Sequence, residues 1–167
     1  MALTPDPRPG GPTAARYALL PLRLFLGVTF LYAGLDKYLN AGPFSAFSRE
    51  HSLALLEFSR ESTPVPWLVD LAADHPALVG HGAAITEILV GLCVLTGLLT
   101  RAAAVLGALL TFLMWLTVSW STSPYYFGAD LPYLFGFITL ALTGSGPYAL
   151  DAHLAHREHR RGSLIFG

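Results

Sequence analysis

VGHGAAITEILVGLCVLTGLL spans residues 79–99, and AAAVLGALLTFLMWLTV spans residues 102–118. Each run, taken as a helix, is long enough to cross a hydrocarbon core about 30 Å thick. Only Thr100 and Arg101 lie between the runs. The connection is therefore predicted to be a tight turn, and the two runs to form an antiparallel hairpin. Glu87 lies inside the first run, whereas the second run carries no charged residue.

Two further apolar runs flank this hairpin. Residues 17–35, YALLPLRLFLGVTFLYAGL, are apolar apart from Arg23, and residues 131–143 read LPYLFGFITLALT. The last run covers only about 20 Å as a helix, so it is short for a membrane span. A cleaved signal peptide is the competing interpretation of residues 17–35, but the run is long and no clear small-x-small cleavage site follows it. The pattern predicts an all-α integral membrane protein with a four-transmembrane-helix bundle.

The composition of the chain favours the same class. Hydrophobic residues make up 53% of the 167 residues and charged residues 13%, whereas an average soluble domain carries about 25% charged residues. A soluble domain this apolar would expose large sticky patches, and a bilayer removes that cost. The net charge of −1 gives no reason to expect nucleic acid as a partner. Cys93 is the only cysteine, which excludes an internal disulfide, a two-cysteine metal site and a CxxC redox pair.

The segments outside the apolar runs divide the chain further. Residues 1–15 are rich in Pro and Gly and are predicted to be a disordered N-terminal tail. Residues 16–154 form the transmembrane domain, and residues 155–167 form a basic C-terminal tail. Residues 36–78 are predicted to be an extracytoplasmic segment with two short amphipathic helices, which lie on the membrane surface or cap the bundle.

The distribution of arginines predicts the topology. Arginines precede the first run, lie between the hairpin runs and follow the fourth run, whereas residues 119–130 contain no Lys or Arg. By the positive-inside rule both termini are cytoplasmic in a multi-pass plasma-membrane protein. Three histidines of the tail could form a metal site, but a solvated basic tail near anionic lipid is the simpler interpretation, and no metal site is predicted. They are His153, His156 and His159.

Charged residues and glycines share one face of each of two predicted helices. In the first helix this face carries Arg23, Gly27, Gly34 and Lys37, within an arc of about 80°. In the second helix Glu87, Gly91 and Arg101 repeat the offsets: a charge, a glycine four residues later and a basic residue fourteen residues later. Glycines let helix backbones approach closely. The charged faces are therefore predicted to point at neighbouring helices and away from lipid.

The antiparallel arrangement of the spans then groups the charges into two clusters. The outer cluster consists of Lys37, Glu87 and Asp130, and the inner cluster of Arg23, Arg101 and Asp151. A charge at the centre of a membrane helix costs about 2.5–3.5 kcal/mol, so it needs a partner. One interpretation is that such ion pairs only hold the helices of the bundle together. The alternative is that the outer cluster binds or protonates a small redox ligand. In the second case Glu87, Lys37 and Asp130 are the candidate catalytic residues.

Aromatic residues gather near the predicted outer boundary. They are Trp67, Trp115, Trp120, Tyr125, Tyr126, Phe127 and Tyr133. An interfacial aromatic belt explains this gathering, and a stacking wall for a quinone ring is the sharper alternative. The candidate substrate-binding residues are Arg23, Arg101, Trp67, Trp120, Tyr125 and Tyr126.

Several ordered segments resemble a known family. RLFLGVTFLYAGLDKY (residues 23–38), EILVGLCVLTGLLTR (87–101) and GSGPYALD (144–151) together resemble the DoxX family. SPYYFGADLPYLF (123–135) resembles the branch that includes the DoxD-like small subunit of thiosulfate:quinone oxidoreductase. The resemblance extends over nearly all of residues 17–154. It implies a four-helix membrane protein linked to quinone-dependent sulfur oxidation, or to membrane complexes that handle sulfur and oxygen stress beside soluble partner proteins.

Three functions follow as expectations. The first is a membrane subunit of a quinone-linked redox complex with quinone as its cofactor, acting in thiosulfate:quinone oxidoreduction or in the handling of sulfur and oxidative stress. The alternative is a non-catalytic membrane scaffold that docks soluble redox enzymes. A small transporter or channel is the third, although no run of polar residues lines any one helix. The expected partners are the lipid bilayer, quinone, a soluble redox protein and a second copy of the chain, the last through the small residues Ala102, Ala103 and Gly107.

Overall fold

The computed structural model of the protein describes residues 17–40 and 49–144, and the regular structure within these ranges is helical. The described α-helices are α1 (Leu20–Leu39), α2 (Arg49–Arg60), α3 (Pro66–Asp74), α4 (Pro76–Thr96), α5 (Thr100–Thr117) and α6 (Asp130–Thr143). One turn of 3₁₀ helix, Tyr125–Phe127, lies between α5 and α6. The two predicted tails, Asp151 and the tail histidines lie outside the described residues.

Four of these helices pack side by side as a bundle. The largest interfaces join α1 to α4 and α5 to α6, while the α4–α5 and α1–α6 contacts close the ring. Arg23, near the start of α1, meets the last turn of α4, and Lys37, near the end of α1, meets Glu87 in the middle of α4. α1 and α4 are therefore antiparallel. The end of the bundle where α1 and α5 begin is called the Arg23 end, and the opposite end the Lys37 end.

The turn between α4 and α5 begins earlier in the chain than predicted. α4 ends at Thr96, and its C-cap Gly97 has a left-handed backbone with φ 72°, the conformation that favours glycine after a helix. Leu99 is also left-handed, with φ 50°. Thr100 and Arg101 already belong to α5. The predicted hairpin is present, but its turn is formed by residues 97–99.

Buried hydrophobic side chains fill the centre of the bundle. The core cluster consists of Leu26, Phe30, Val90, Val94, Ala103, Ala104, Phe137 and Leu140. Phe30 and Phe137 meet edge to face, with ring centroids 4.6 Å apart, an arrangement that aromatic pairs favour. All four bundle helices contribute to this core.

The outer surface of the bundle is apolar, and buried charges lie inside it. Large hydrophobic side chains are exposed on all four helices: Leu24, Phe25 and Tyr32 on α1, Ile85 and Leu89 on α4, Val105 and Leu109 on α5, and Phe135 and Leu142 on α6. Arg23, Lys37 and Glu87 are buried. A water-soluble protein would bury the former and expose the latter. α4 and α5 are long and apolar enough to cross a membrane by length and composition, and α6 is a shorter apolar helix.

Helices α2 and α3 form a helical cap on the bundle. They pack against each other and against α4, and α3 also contacts α5. The Thr63 hydroxyl, in the loop between them, donates to the carbonyl of Leu116 near the end of α5, at 2.7 Å. Of the two predicted positions for these short helices, the structure shows the one that caps the bundle.

Candidate functional site

A buried ion pair joins α1 to α4 at the Lys37 end of the bundle. The Lys37 ammonium donates to the Glu87 carboxylate, with Nζ and Oε2 2.6 Å apart. Lys37 is 8% exposed and Glu87 3% exposed, so both charges are removed from solvent. Such a pair is stabilising only when the contact is close, because each ion loses its hydration on burial.

The glycines of the two charged faces make this contact possible. A Cβ built on Gly91 would lie 2.6 Å from the Leu31 amide nitrogen, and a Cβ built on Gly34 would lie 2.7 Å from the Ala84 carbonyl oxygen. No residue with a side chain fits at such distances without moving backbone. The predicted close approach of the two helices is therefore confirmed, and it brings Lys37 within reach of Glu87.

Asp130 is the third member of the predicted outer cluster, and it begins α6. Its carboxylate accepts a hydrogen bond from the Ser119 hydroxyl and lies in the first turn of the helix, where the helix dipole favours a negative charge. Lys37, Glu87 and Asp130 all line one cavity of about 200 Å³, called here the charged cavity. The structure therefore brings the three predicted residues of the outer cluster to one site.

The rest of the charged cavity is lined by Tyr133, one of the aromatic residues that the sequence analysis grouped near the outer boundary, and by residues that it did not name as candidates. Phe30 and Tyr133 contribute the aromatic surface, with ring centroids 6.0 Å apart, and Thr111 and Met114 contribute from α5. Phe30 lies between Gly27 and Gly34 on the charged face of α1, so helical periodicity alone could have identified it.

Apart from Tyr133, the described aromatic side chains of the predicted wall lie away from the charged cavity. Trp67, Trp120 and Tyr125 are exposed, and none of the three lines the charged cavity. Trp120 packs on Trp115, with ring centroids 4.9 Å apart. The side chain of Tyr126 is outside the described part of the structure. Exposed aromatics around one end of an apolar bundle are the arrangement expected of an interfacial belt.

The two predicted arginines lie at the opposite end of the bundle. The Arg23 guanidinium donates to the carbonyls of Val94 and Leu95, at 3.2 and 3.3 Å, and so binds the last turn of α4. Carbonyls in the last turn of a helix need partners, and a cation there is favoured by the helix dipole. Arg101 is exposed at the start of α5. Its guanidinium lies close to Gly144, at the end of α6.

A second cavity lies between the helical cap and the bundle. It has a volume of about 410 Å³ and is called here the cap cavity. Its walls are almost wholly apolar and come from α2, α3, α4 and α5, with Leu55, Leu68, Val79 and Leu113 among them. Lys37 borders both cavities. Nothing in the sequence predicted this space, since it depends on how the cap docks on the bundle.

The charges around Lys37 limit what the site can bind. One ammonium faces two carboxylates, so the cluster carries one negative charge when all three groups are ionised. An anionic ligand would be repelled at this low-dielectric position. An uncharged group that accepts or donates hydrogen bonds meets a donor at Lys37 and acceptors at Glu87 and Asp130. No group of three His, Cys, Asp or Glu residues that could hold a metal ion occurs within residues 17–40 and 49–144.

Comparison with known proteins gives one match. Residues 18–120 match the sequence model of the DoxX family, which is more than half of the 167 residues. The matched segment contains Lys37 and Glu87, while Asp130 and α6 follow it. No curated protein and no solved structure matches the chain.

Proposed function

The chain belongs to the DoxX family of membrane proteins, and from that premise we propose that it is a membrane subunit of a quinone-linked redox complex. In this proposal the quinone head group binds in the charged cavity. The observation that carries the proposal is the buried Lys37–Glu87 ion pair beside a cavity that also contains a second carboxylate, Asp130. Intramembrane ionisable residues that line a cavity are typical of proton and substrate pathways.

The chemistry of a quinone fits the groups present. Reduction of a quinone to a quinol takes up two electrons and two protons, and the carbonyl oxygens become hydroxyls. Lys37 can donate a hydrogen bond to a quinone carbonyl, and Glu87 or Asp130 can exchange a proton at the same oxygen. The Phe30 and Tyr133 rings provide apolar surface for the quinone ring. The electrons come from a sulfur compound such as thiosulfate, or from a soluble redox partner that handles sulfur or oxidative stress.

In the proposed topology, α1, α4, α5 and α6 each cross the plasma membrane, and both termini are cytoplasmic. The helical cap is then extracytoplasmic, and the charged cavity lies near the outer leaflet. The apolar exterior of all four helices supports this arrangement. Single cysteines introduced into a Cys93→Ser background test it: a membrane-impermeant maleimide added to intact cells should label Glu57→Cys in the cap and leave Arg101→Cys unlabelled. If only Arg101→Cys is labelled, the orientation of the protein in the membrane is the reverse of the proposed one.

Binding of quinone to the purified protein in lipid nanodiscs tests the site. The double variant Lys37→Met/Glu87→Leu removes both members of the ion pair together, so neither is left without its partner, and Asp130 keeps its hydrogen bond from Ser119. We expect the wild type to bind a benzoquinone and the double variant to lose that binding. The control is Arg60→Ala/Asp70→Ala, which removes an exposed ion pair of the cap and should leave binding unchanged. Equal quinone binding by a folded Lys37→Met/Glu87→Leu variant would contradict the proposal.

A non-catalytic scaffold that docks soluble redox enzymes is the second candidate. The exposed side chains Phe58, Trp67 and Leu71 on the helical cap favour it, because such a patch can bind a partner. Pull-down from native membranes in mild detergent separates the two functions. A scaffold retains a stoichiometric partner when Lys37 and Glu87 are replaced, and it binds no quinone.

A further inference from the structure

The cap cavity is a second space, distinct from the charged cavity to which the quinone head group is assigned. Its volume of about 410 Å³ falls in the range of about 300–1,000 Å³ that small-molecule pockets have. Apolar side chains from the cap and from the bundle form its walls, with Leu56, Val69, Ala83 and Leu110 among them. The lining side chains that carry N–H or O–H groups are those of Lys37, Thr86 and Thr117. A space with this lining accepts a hydrocarbon chain.

Lys37 lies between the two cavities, and its charge constrains the head group of an occupant that reaches it. It borders the cap cavity on one side and the charged cavity on the other. An amphiphile with its chain in the cap cavity therefore has its head at Lys37, beside Glu87 and Asp130. A phospholipid would place its phosphate against these two carboxylates, which is unfavourable in a low-dielectric environment. An uncharged head group avoids that repulsion.

We infer that the cap cavity binds the hydrocarbon chain of a membrane amphiphile whose uncharged head group lies at Lys37. The identity of this hydrocarbon chain rests on the proposed function, under which it is the prenyl tail of the quinone. The cap helices α2 and α3 then serve as the wall that holds the tail, and the site selects tailed quinones over phospholipids.

Gly82 offers a way to fill the cap cavity without disturbing the bundle. It lines the cavity, and a Cβ built on it meets no atom within 4 Å. Gly82→Phe therefore adds a ring whose Cβ meets no neighbouring atom. Gly82→Ala is the matched control, because it also removes the conformational freedom of glycine but adds only a methyl group. Ala72→Phe narrows the cavity from the opposite wall, on α3.

The experiment uses two photoreactive probes on the full chain in nanodiscs. One is a benzoquinone with a diazirine on a prenyl chain, and the other a benzoquinone with a diazirine on the ring and no chain. We expect the chain probe to label Leu68 or Val69 and the ring probe to label Thr111 or Tyr133. Excess unlabelled prenyl quinone should compete in both cases. Gly82→Phe and Ala72→Phe should weaken binding of the chain probe at least about tenfold in apparent affinity. Gly82→Ala should weaken it far less than Gly82→Phe, and binding of the ring probe should stay unchanged in all three variants.

The outcomes separate this inference from the proposed function. Labelling by the ring probe as expected, with the chain probe on the lipid-facing residues Ile85 or Leu89, would overturn the inference and leave the proposed function standing. If the ring probe does not label Thr111 or Tyr133, the proposed quinone head-group site is contradicted. Labelling of the cap cavity by the chain probe would still support the proposed site for the hydrocarbon chain. A diazirine phosphatidylglycerol that labels Leu68 and resists competition by quinone would overturn the choice of an uncharged head group.

Discussion

At the scale of single residues, the buried charges depend on one another. Lys37 and Glu87 form a close pair inside an apolar bundle, and Asp130 adds a second carboxylate to the same cavity. Breaking a buried pair from one side leaves an uncompensated ion, which costs about 3–5 kcal/mol, whereas replacing both partners by apolar residues of similar size is often neutral or stabilising. Stability and ligand binding at this site should therefore respond differently to single and double substitutions.

The first prediction concerns the free energy of unfolding of these variants. We expect Lys37→Met alone to lower it by about 3–5 kcal/mol, because Glu87 and Asp130 would remain without the ammonium. Lys37→Met/Glu87→Leu should lower the free energy of unfolding far less than Lys37→Met. Unfolding by sodium dodecyl sulfate in mixed micelles measures both variants against the wild type. A double variant as unstable as the single one would show that the ion pair, and not charge balance, holds the bundle together.

At the scale of elements, the packing of α1 on α4 depends on glycines at positions where any side chain meets backbone. Gly91 faces the Leu31 amide and the Gly27 carbonyl, and Gly34 faces the Ala84 carbonyl. Backbone atoms cannot rotate away as a flexible side chain can, so an added methyl group must push the helices apart. The Lys37–Glu87 contact depends on that separation, and the glycine packing therefore controls the geometry of the charged cavity.

The second prediction compares two glycines of the same helix. Gly91→Ala should lower the free energy of unfolding by about 1–3 kcal/mol, as overpacking of a close interface does. Gly82→Ala should be neutral or stabilising by about 0.5–1 kcal/mol, because its Cβ meets open space and alanine favours a helix. The same detergent titration measures both. Equal effects of the two substitutions would contradict the close-approach argument.

The sequence predicted well the features of these helices that follow from local patterns. It predicted poorly the features that depend on tertiary contacts. The charged face of α1 and the Glu87–Gly91 part of the face predicted for α4 follow from helical spacing, and Arg23, Lys37 and Glu87 are buried as expected. The prediction that Arg101 shares the face of Glu87 was wrong, because α4 ends at Thr96 and Arg101 lies exposed in α5. The apolar run of the first predicted span ends at residue 35, whereas the charged face predicted for the same helix extends to Lys37, and α1 in the structure extends to Leu39. Burial of Lys37 against Glu87 lets the helix continue to Leu39. Gly97 was a local signal for the α4–α5 turn that the hairpin argument overlooked.

The site shows the same division between local and tertiary information. The membership of Glu87, Lys37 and Asp130 in one cluster came from charge and topology. The exposed positions of Trp67, Trp120 and Tyr125 could not be predicted, since an aromatic near a boundary fits a belt and a wall equally well. The cap cavity required knowledge of how the helical cap docks, which rests on contacts such as Thr63 with the Leu116 carbonyl.

At the scale of the whole molecule, the surface of the bundle is apolar although its core is apolar too, and three charged side chains of the described residues are buried within it. The apolar side chains on the outside of α1, α4, α5 and α6 fit the proposed lipid environment of these helices, and the charges inside require partners within the bundle. One substitution can therefore have opposite effects in the two environments. An exposed leucine changed to lysine is harmless on a water-facing surface and costly on a lipid-facing one.

The third prediction uses Leu89, which is 53% exposed near the middle of α4. Leu89→Lys should destabilise the membrane-inserted state by about 2.5–3.5 kcal/mol, the cost of a charge at the centre of a membrane helix. Leu39→Lys is the control, because Leu39 lies at the end of α1 and is 78% exposed. A lysine there can extend its ammonium to the interface. The fraction of each variant that resists carbonate extraction from native membranes, together with its detergent stability, measures the difference. If Leu89→Lys inserts and unfolds like the wild type, α4 faces water at this position and the bundle does not sit in lipid as proposed.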